Sequence, residues 1–222
     1  MPTLSRRLLA EFLGTYAMIF AGTGAIMVNQ ISGGALTHLG VALTWGLIVM
    51  VMIYTFGDLS GAHLNPAVSI AFTTAGRFAS RDLLPYLLAQ IAGALAASTT
   101  LHFLFPANAT LGSTLPSGSA SQSLVLEFLL TLILMTVILN VSHGAKETGM
   151  TAGIAVGATI GLEALFAGPI CGASMNPARS LAPALISGHL EHLWIYLTAP
   201  ITGALTAVLF FTILRGKSSR RV

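Results

Sequence analysis

The chain has 222 residues, of which 55% are hydrophobic and only 8% are charged. A soluble domain usually carries about a quarter charged residues, so this composition excludes an ordinary water-soluble globular protein. The single Cys excludes an internal disulfide, and the net charge of +3 comes from basic residues beside apolar segments, which argues against nucleic acid as a partner.

After a leader that ends at Arg7, apolar segments follow one another in a regular order. Each of six is long enough to cross a bilayer as a helix, which predicts an all-α membrane protein. Two shorter apolar segments follow the second and fifth spans and begin directly after an Asn. At 1.5 Å per residue each makes a rod of roughly 15 Å, about half the hydrocarbon core. The predicted spans are 8–28, 38–57, 83–105, 124–141, 150–167 and 193–214.

The two short segments share a motif, GAHLNPAVS at 61–69 and GASMNPARS at 172–180. Asn is a favoured helix N-cap and Pro is favoured at the first helical position, so each motif predicts the start of a half-membrane helix. A single Asn-Pro pair is common, but two copies in register in the two halves of an apolar chain indicate a functional site. The repeated triplets are Asn65, Pro66, Ala67 and Asn176, Pro177, Ala178.

The order of the segments predicts an internal repeat. An uncharged loop, 106–121, joins a repeat at 8–105 to a second at 122–214, and the two form one membrane domain over 1–222. AEFLGT in the first span matches LEFLLT in the fourth. Because each half has three full spans, the second half must lie inverted relative to the first, an architecture known in transport proteins.

The basic residues predict the orientation of the chain in the membrane. All but one fall at one face of the predicted bundle, while the opposite loops, 29–35 and 106–121, contain none. The positive-inside rule then predicts that both termini are cytoplasmic. The expected location is the cell membrane (plasma or inner membrane), which the chain crosses several times. The exception, Arg179, lies inside the second half-helix. The residues of the basic face are Arg6, Arg7, Arg77, Arg81, Lys146, Arg215, Lys217, Arg220 and Arg221.

These motifs resemble the aquaporin superfamily, the major intrinsic proteins, over nearly the whole chain. Two Asn-Pro-Ala boxes in inverted repeats, AEFLGT in the first span and an Arg directly after the second box form a specific combination. GPICGASMNPARS and SGAHLNPAVSIAF are most similar to the nodulin-type branch of plants and its bacterial relatives, and the short N-terminus favours a prokaryotic member. The resemblance implies a channel with the aquaporin fold, a homotetramer with one pore per subunit in contact with membrane lipids, and no cofactor or metal.

The half-helices suggest how such a pore works. Each helix N-terminus presents about half a positive charge and unpaired N–H groups to the midplane, where Asn65 and Asn176 can donate to a passing oxygen. The resemblance adds backbone carbonyl acceptors along one wall, at Gly61, Ala62, His63, Gly172, Ala173 and Ser174. Exclusion of protons and cations by half-helix dipoles and an Arg is an established property of aquaporin-type pores.

The resemblance places a four-residue selectivity filter on Trp45, Ala164, Ala173 and Arg179. Water-only members typically have Phe and His at the first two positions, so Ala164 predicts a wider opening with an apolar wall. The implied solutes are water and small uncharged molecules such as glycerol, urea, boric acid and arsenous acid. Glycerol facilitators usually carry Asp after the Arg, whereas this chain has Ser180, which argues against a dedicated glycerol facilitator. A water-selective aquaporin is the alternative.

Three carboxylates lie inside predicted spans, where ionisable residues suggest function by default. The matched positions of Glu11 and Glu127 favour a role as acceptors that hold the half-helix loops. Glu163 has no such match and lies beside Ala164, so it either accepts from the neighbouring loop or faces the pore. His63 is interpreted as a packing residue with a pore-facing carbonyl.

A passive channel is the leading function. A secondary transporter with inverted repeats would need a coupling-ion site near the midplane, yet two of the three buried acids are explained as loop holders. A membrane scaffold has no positive feature, and the sequence shows no nucleophile–base or metal constellation that would indicate an enzyme.

Overall fold

The computed structural model describes residues 2–142 and 146–215, with the backbone alone for 146–150. Within these residues the chain forms eight helices and no strand. The helices are α1 (Leu4–Ile31), α2 (Thr37–Ser60), α3 (Pro66–Thr74), α4 (Ser80–Leu104), α5 (Ala120–Val141), α6 (Lys146–Cys171), α7 (Pro177–Ser187) and α8 (Leu193–Arg215).

Six of the helices are long and apolar enough to cross a membrane, and the two short helices stand where the sequence predicted half-helices. The predicted fold class is therefore confirmed. Several spans extend past their apolar segments; α6 runs through Pro169 to Cys171 instead of ending at 167. Pro169 lacks an N–H for the Leu165 carbonyl, and His38 Nε2 donates to that carbonyl at 2.7 Å. Part of the predicted 143–148 link and the basic tail after Arg215 lie outside the described residues.

The short helices α3 and α7 begin as the motif requires. Asn65 and Asn176 have extended backbones, and the side chain of each accepts a hydrogen bond from the first turn of its helix. Pro66 and Pro177 occupy the first helical position, where no N–H is needed. Both short helices pack between α4 and α8, so the long helices hold the two Asn caps facing each other.

The long helices approach each other closely at glycines that match between the two halves. A Cβ built on Gly93 of α4 would lie 2.3 Å from the Phe12 carbonyl oxygen of α1, and a Cβ on Gly203 of α8 would lie 2.3 Å from that of Phe128 in α5. Gly46 of α2 and Gly157 of α6 meet reciprocally, each Cβ position 2.6 Å from the other's carbonyl oxygen. These paired contacts favour the inverted-repeat hypothesis.

Basic side chains join the helix ends on one face of the bundle. Arg7 donates to Asp82 at 2.9 Å, which links the start of α1 to the start of α4. Arg77 donates to the Leu139 carbonyl near the end of α5, and Arg215 donates to Asn140. The described part of the basic face therefore lies at a single end of the bundle, as the predicted orientation requires.

The glycine contacts predict a position-specific effect of adding one methyl group. Gly203→Ala should lower the free energy of unfolding by about 1–3 kcal/mol, because α8 must move away from the Phe128 carbonyl. Thermal unfolding of the purified protein in mild detergent measures this change.

Gly57→Ala is the matched control, since a Cβ at this helical glycine meets nothing within 4 Å. It should leave the unfolding temperature unchanged or raise it, because Ala favours helix over Gly by about 1 kcal/mol. Equal effects of the two substitutions would contradict the close-contact interpretation.

Candidate pore and selectivity filter

The two Asn-Pro-Ala loops are joined by a reciprocal pair of hydrogen bonds. Asn65 Nδ2 donates to the Met175 carbonyl at 2.8 Å, and Asn176 Nδ2 donates to the Leu64 carbonyl at 2.9 Å. The Oδ1 atom of each Asn caps its own helix by accepting from Ala67 N or Ala178 N. One N–H of each amide is thus left for a solute, because the other is used across the loop junction.

Both loops adopt a strained backbone. Ala62 and Leu64 have φ values of 46° and 50°, and their counterparts Ala173 and Met175 have 42° and 52°. Non-glycine residues with positive φ are uncommon and cost free energy, so other contacts must hold the loops in place.

Glu11 supplies that support in the first loop. Its carboxylate accepts from the backbone N–H of His63 at 2.9 Å and of Leu64 at 2.7 Å. Two side chains add further donors, Ser60 Oγ at 2.7 Å and Gln90 Nε2 at 2.8 Å. The fully buried carboxylate therefore receives four hydrogen bonds, which offsets the cost of its burial.

Glu127 supports the second loop in the same way. It accepts from the backbone N–H of Ser174 and of Met175, both at 2.8 Å. These contacts favour the predicted loop-holding role of both carboxylates. Gln90 was not singled out from the sequence, although an amide in the middle of an apolar span was a usable signal.

A cavity of about 120 Å³ runs past the loop junction. Its wall includes residues predicted to offer carbonyl acceptors, together with the two Asn residues. They are Gly61, Ala62, His63 and Asn65 in the first loop and Ala173, Ser174 and Asn176 in the second. Gly172 is outside the lining, and so are the Pro and Ala residues of the two boxes, which are buried in the helix tips. Much of the remaining wall is apolar and was not predicted: Met18, Val49, Ile53, Val68, Leu134, Ile138, Val156 and Ile160.

Trp45, Ala173 and Arg179, three of the four predicted filter residues, lie together on this cavity. The Arg179 guanidinium carbon is 4.9 Å from the centre of the Trp45 ring, within cation–π range. Ala164 belongs to the same apolar cluster as Trp45 but is not among the lining residues, whereas Ile160, one turn earlier on α6, is. Its place in the filter stays a prediction.

The loop at 106–121 contributes to the filter, which the sequence interpretation missed. The Gly112 carbonyl accepts from Arg179 Nη1 at 2.9 Å, and Thr114 Oγ1 donates to Ser180 Oγ at 2.7 Å. Gly112 has a φ of 69°, which favours glycine. A long loop without any charge was the available signal that part of it is buried.

Glu163 fits neither of its two predicted roles among the described residues. Its side chain is 2% exposed, it does not line the cavity, and neither carboxyl oxygen has a hydrogen-bond partner there. The His63 ring, in contrast, packs against Phe72, Phe78 and Tyr86, in line with its interpretation as a packing residue.

Two capped half-helices meeting inside six spanning helices define a membrane channel, and comparison with known proteins gives the family. The family model described as Major intrinsic protein matches residues 1–211. The chain therefore belongs to the major intrinsic protein family, whose members are channels and not enzymes.

Two curated plant relatives illustrate the match. Aquaporin NIP1-1 of Zea mays is 48% identical over 211 residues, which cover 95% of this chain and 75% of that protein. Aquaporin NIP3-1 of Arabidopsis thaliana is 47% identical over 218 residues, covering 95% and 68%. The nodulin-type resemblance is confirmed, while the expected prokaryotic source gains no support from these plant relatives.

A solved structure gives the same fold. The aquaglyceroporin from Plasmodium falciparum superposes with a TM-score of 0.81 and 27% sequence identity, and the match covers 94% of this chain and 96% of that one. Together with the plant relatives it identifies this protein as a membrane channel for water and small solutes.

The four donors around Glu11 predict that an isosteric amide cannot replace the carboxylate. In Glu11→Gln an NH₂ group must face donors already present, so the free energy of unfolding should fall by about 2–4 kcal/mol. Thermal unfolding in detergent measures the loss, with Glu191→Gln, an exposed carboxyl, as the control. A melting temperature for Glu11→Gln equal to that of the control would contradict the loop-holding role.

Proposed function

We propose that this protein is a passive channel for uncharged polar solutes larger than water, such as glycerol, urea, boric acid and arsenous acid, and that it excludes protons and ions. The observation that carries the proposal is the composition of the filter region. The cavity wall there combines the Trp45 ring and Ala173 with the Arg179 guanidinium, which lies against the Trp45 ring.

This arrangement suits a solute that has both a carbon or metalloid framework and hydroxyl groups. The apolar wall contacts the framework, while Arg179 and the two Asn amides donate to the hydroxyl oxygens. A water molecule gains nothing from the apolar wall, and an ion would lose its hydration shell without receiving enough ligands. The Plasmodium channel with the same fold is an aquaglyceroporin, which supports a solute of glycerol size.

Arg179 is built into the pore wall and not into the lipid-facing surface. It is 2% exposed, its Nη1 donates to the Gly112 carbonyl, and its guanidinium lies against Trp45. A buried cation on the wall of a pore repels protons and cations, in keeping with the established behaviour of aquaporin-type channels. The positive ends of the α3 and α7 dipoles add to the same barrier.

We place the protein in the cell membrane with both termini cytoplasmic, since the described basic residues other than Arg179 gather at one end of the bundle. We further expect a homotetramer with one pore per subunit, as the resemblance to the aquaporin superfamily implies. Native mass spectrometry from mild detergent should give four copies of the chain, and a purely monomeric spectrum would contradict this expectation.

Arg179→Val tests the barrier against charge. The variant should fold and conduct protons or small cations in liposomes well above the wild-type background, because the fixed charge at the filter is removed. Arg81→Val is the control, because the Arg81 side chain is 88% exposed and remote from the cavity. Proton conductance of Arg179→Val at the wild-type background would show that the half-helix dipoles alone form the barrier.

Ala164→His tests the width of the filter. An imidazole should fill the space that the methyl group leaves and add a donor beside Arg179, so larger solutes lose their apolar wall. Glycerol and arsenous acid flux should fall by at least about tenfold, a barrier increase of roughly 1.4 kcal/mol, while water flux falls much less. Stopped-flow swelling of proteoliposomes measures the two fluxes.

Ala107→His, in the exposed loop after α4, controls for introducing a His at all. Equal loss of glycerol and water flux in Ala164→His would indicate general blockage. If neither flux changed, Ala164 would lie outside the filter, consistent with Ile160 lining the cavity instead.

A further inference from the structure

Two arginines contact one phenylalanine at the end of the bundle where the described basic residues gather. The guanidinium carbon of Arg77 lies 4.6 Å from the centre of the Phe211 ring, and that of Arg215 lies 5.7 Å from the centre of the same ring. Both distances are within cation–π range. Phe211 is buried in α8, so one fixed aromatic ring holds two positive charges close together.

Hydrogen bonds to the end of α5 also position each guanidinium. Arg77 Nη1 donates to the Leu139 carbonyl at 2.9 Å and to Ser142 Oγ at 3.3 Å. Arg215 Nη2 donates to Asn140 Oδ1 at 2.9 Å. All three acceptors are oxygens of neutral groups, so they hold the two charges in place without neutralising them.

No carboxylate balances this arginine pair among the described residues, where the ion pairs are those of Arg7 and Arg81 with Asp82. Arg7 lies at the same end of the bundle and shows what a neutralised site looks like. It also lies over aromatic rings, but its guanidinium meets the Asp82 carboxylate at 2.9 Å. Arg77 and Arg215 have the aromatic ring without the carboxylate, so their site carries a net positive charge within the described part of the chain.

Both guanidinium groups also keep donors that the described residues leave without an acceptor. Arg77 Nη2 is buried and makes no hydrogen bond there, which costs free energy. Arg215 is exposed, and its Nε and Nη1 atoms make none with those residues either. Two fixed cations with spare N–H groups suit a ligand that has negative charge and several oxygen acceptors. A phosphate group is such a ligand, because the planar guanidinium can donate two parallel hydrogen bonds to its oxygens.

The neighbouring surface of α8 indicates what the phosphate group is attached to. Large apolar side chains lie exposed directly before Arg215. They are 46% to 82% exposed and are Leu209, Phe210, Ile213 and Leu214. A lipid fits this surface, because its acyl chains can contact the apolar side chains while its headgroup lies at the basic helix end. Residues 215–222 contain four basic residues and no acid, a pattern typical of segments that bind anionic lipids.

We propose that Arg77 and Arg215 form a binding site for the phosphate group of an anionic phospholipid. The phosphate oxygens accept from the spare N–H groups of Arg215, and the charge of Arg77 adds to the attraction. The acyl chains lie along the exposed apolar side chains of α8. A zwitterionic lipid binds less well, because the cationic part of its headgroup is repelled by two uncompensated arginines. Neither arginine lines the cavity, so binding is independent of the solute that the channel passes.

Native mass spectrometry of the full chain in mild detergent tests the site. With equal amounts of dioleoyl phosphatidylglycerol and dioleoyl phosphatidylcholine, the wild type should carry mainly the anionic phosphatidylglycerol. Arg215→Gln should lower the ratio of bound phosphatidylglycerol to bound phosphatidylcholine by about fivefold, or roughly 1 kcal/mol, the contribution of one basic residue near a membrane surface. Arg77→Gln should lower this ratio too, and its amide keeps a donor for the Leu139 carbonyl.

Arg81→Gln is the matched control, because it removes the same charge from a side chain that is 88% exposed and already has a carboxylate neighbour. It should leave the lipid ratio within about twofold of the wild type. A wild-type ratio in Arg215→Gln would overturn the proposal. An equal loss in Arg81→Gln would also overturn it, because the lipid would then be attracted by net charge and not by this site.

Thermal unfolding in detergent separates a lipid site from a site for a free anion. Phosphatidylglycerol should raise the unfolding temperature of the wild type more than that of Arg215→Gln, because only the wild type keeps the site intact. Sodium phosphate should act no differently from sodium chloride of equal ionic strength. Stabilisation that is specific to inorganic phosphate and is lost in Arg215→Gln would show that the ligand is a free anion, and would overturn the lipid assignment.

Discussion

The structure depends on two hydrogen bonds, Asn65 to the Met175 carbonyl and Asn176 to the Leu64 carbonyl. Each Asn caps its own helix and binds the opposite loop, so neither half-helix can shift without breaking a contact of the other. A carbonyl left without its donor in this buried place would cost about 1–3 kcal/mol. The junction therefore fixes both helix dipoles on the midplane, where they face a passing solute.

This junction forces both loops into left-handed backbone conformations that need external support. In the first loop the support is Glu11, which accepts from the backbone of His63 and Leu64 and from two side chains, and in the second it is Glu127, which accepts from the backbone of Ser174 and Met175. The second loop also carries Ala173 and leads to Arg179. The second carboxylate therefore holds the loop that leads into the filter region.

The sequence predicted the helices, the paired boxes and three residues that meet in the filter region, because hydrophobic segments and capping residues are local signals. It could not predict that Gly112 and Thr114 hold Arg179 and Ser180, since those contacts span more than 60 residues of chain. Nor could it predict that Glu163 fits neither of its two expected roles, because burial without a partner is a property of the packed molecule. The sequence also could not identify the apolar residues that line the cavity, such as Met18 and Ile160, because lipid-facing and pore-facing side chains are equally hydrophobic.

The central claim is that the filter passes uncharged solutes larger than water without coupling to an ion gradient. Proteoliposomes that contain the wild-type protein test it most directly when influx of water, glycerol, urea and arsenous acid is measured with and without a pH gradient. We expect glycerol and arsenous acid to enter much faster than into protein-free liposomes, in proportion to their concentration and independently of the gradient. Rapid water flux with glycerol and arsenous acid at the protein-free rate, or uptake that saturates and follows the gradient, would contradict it.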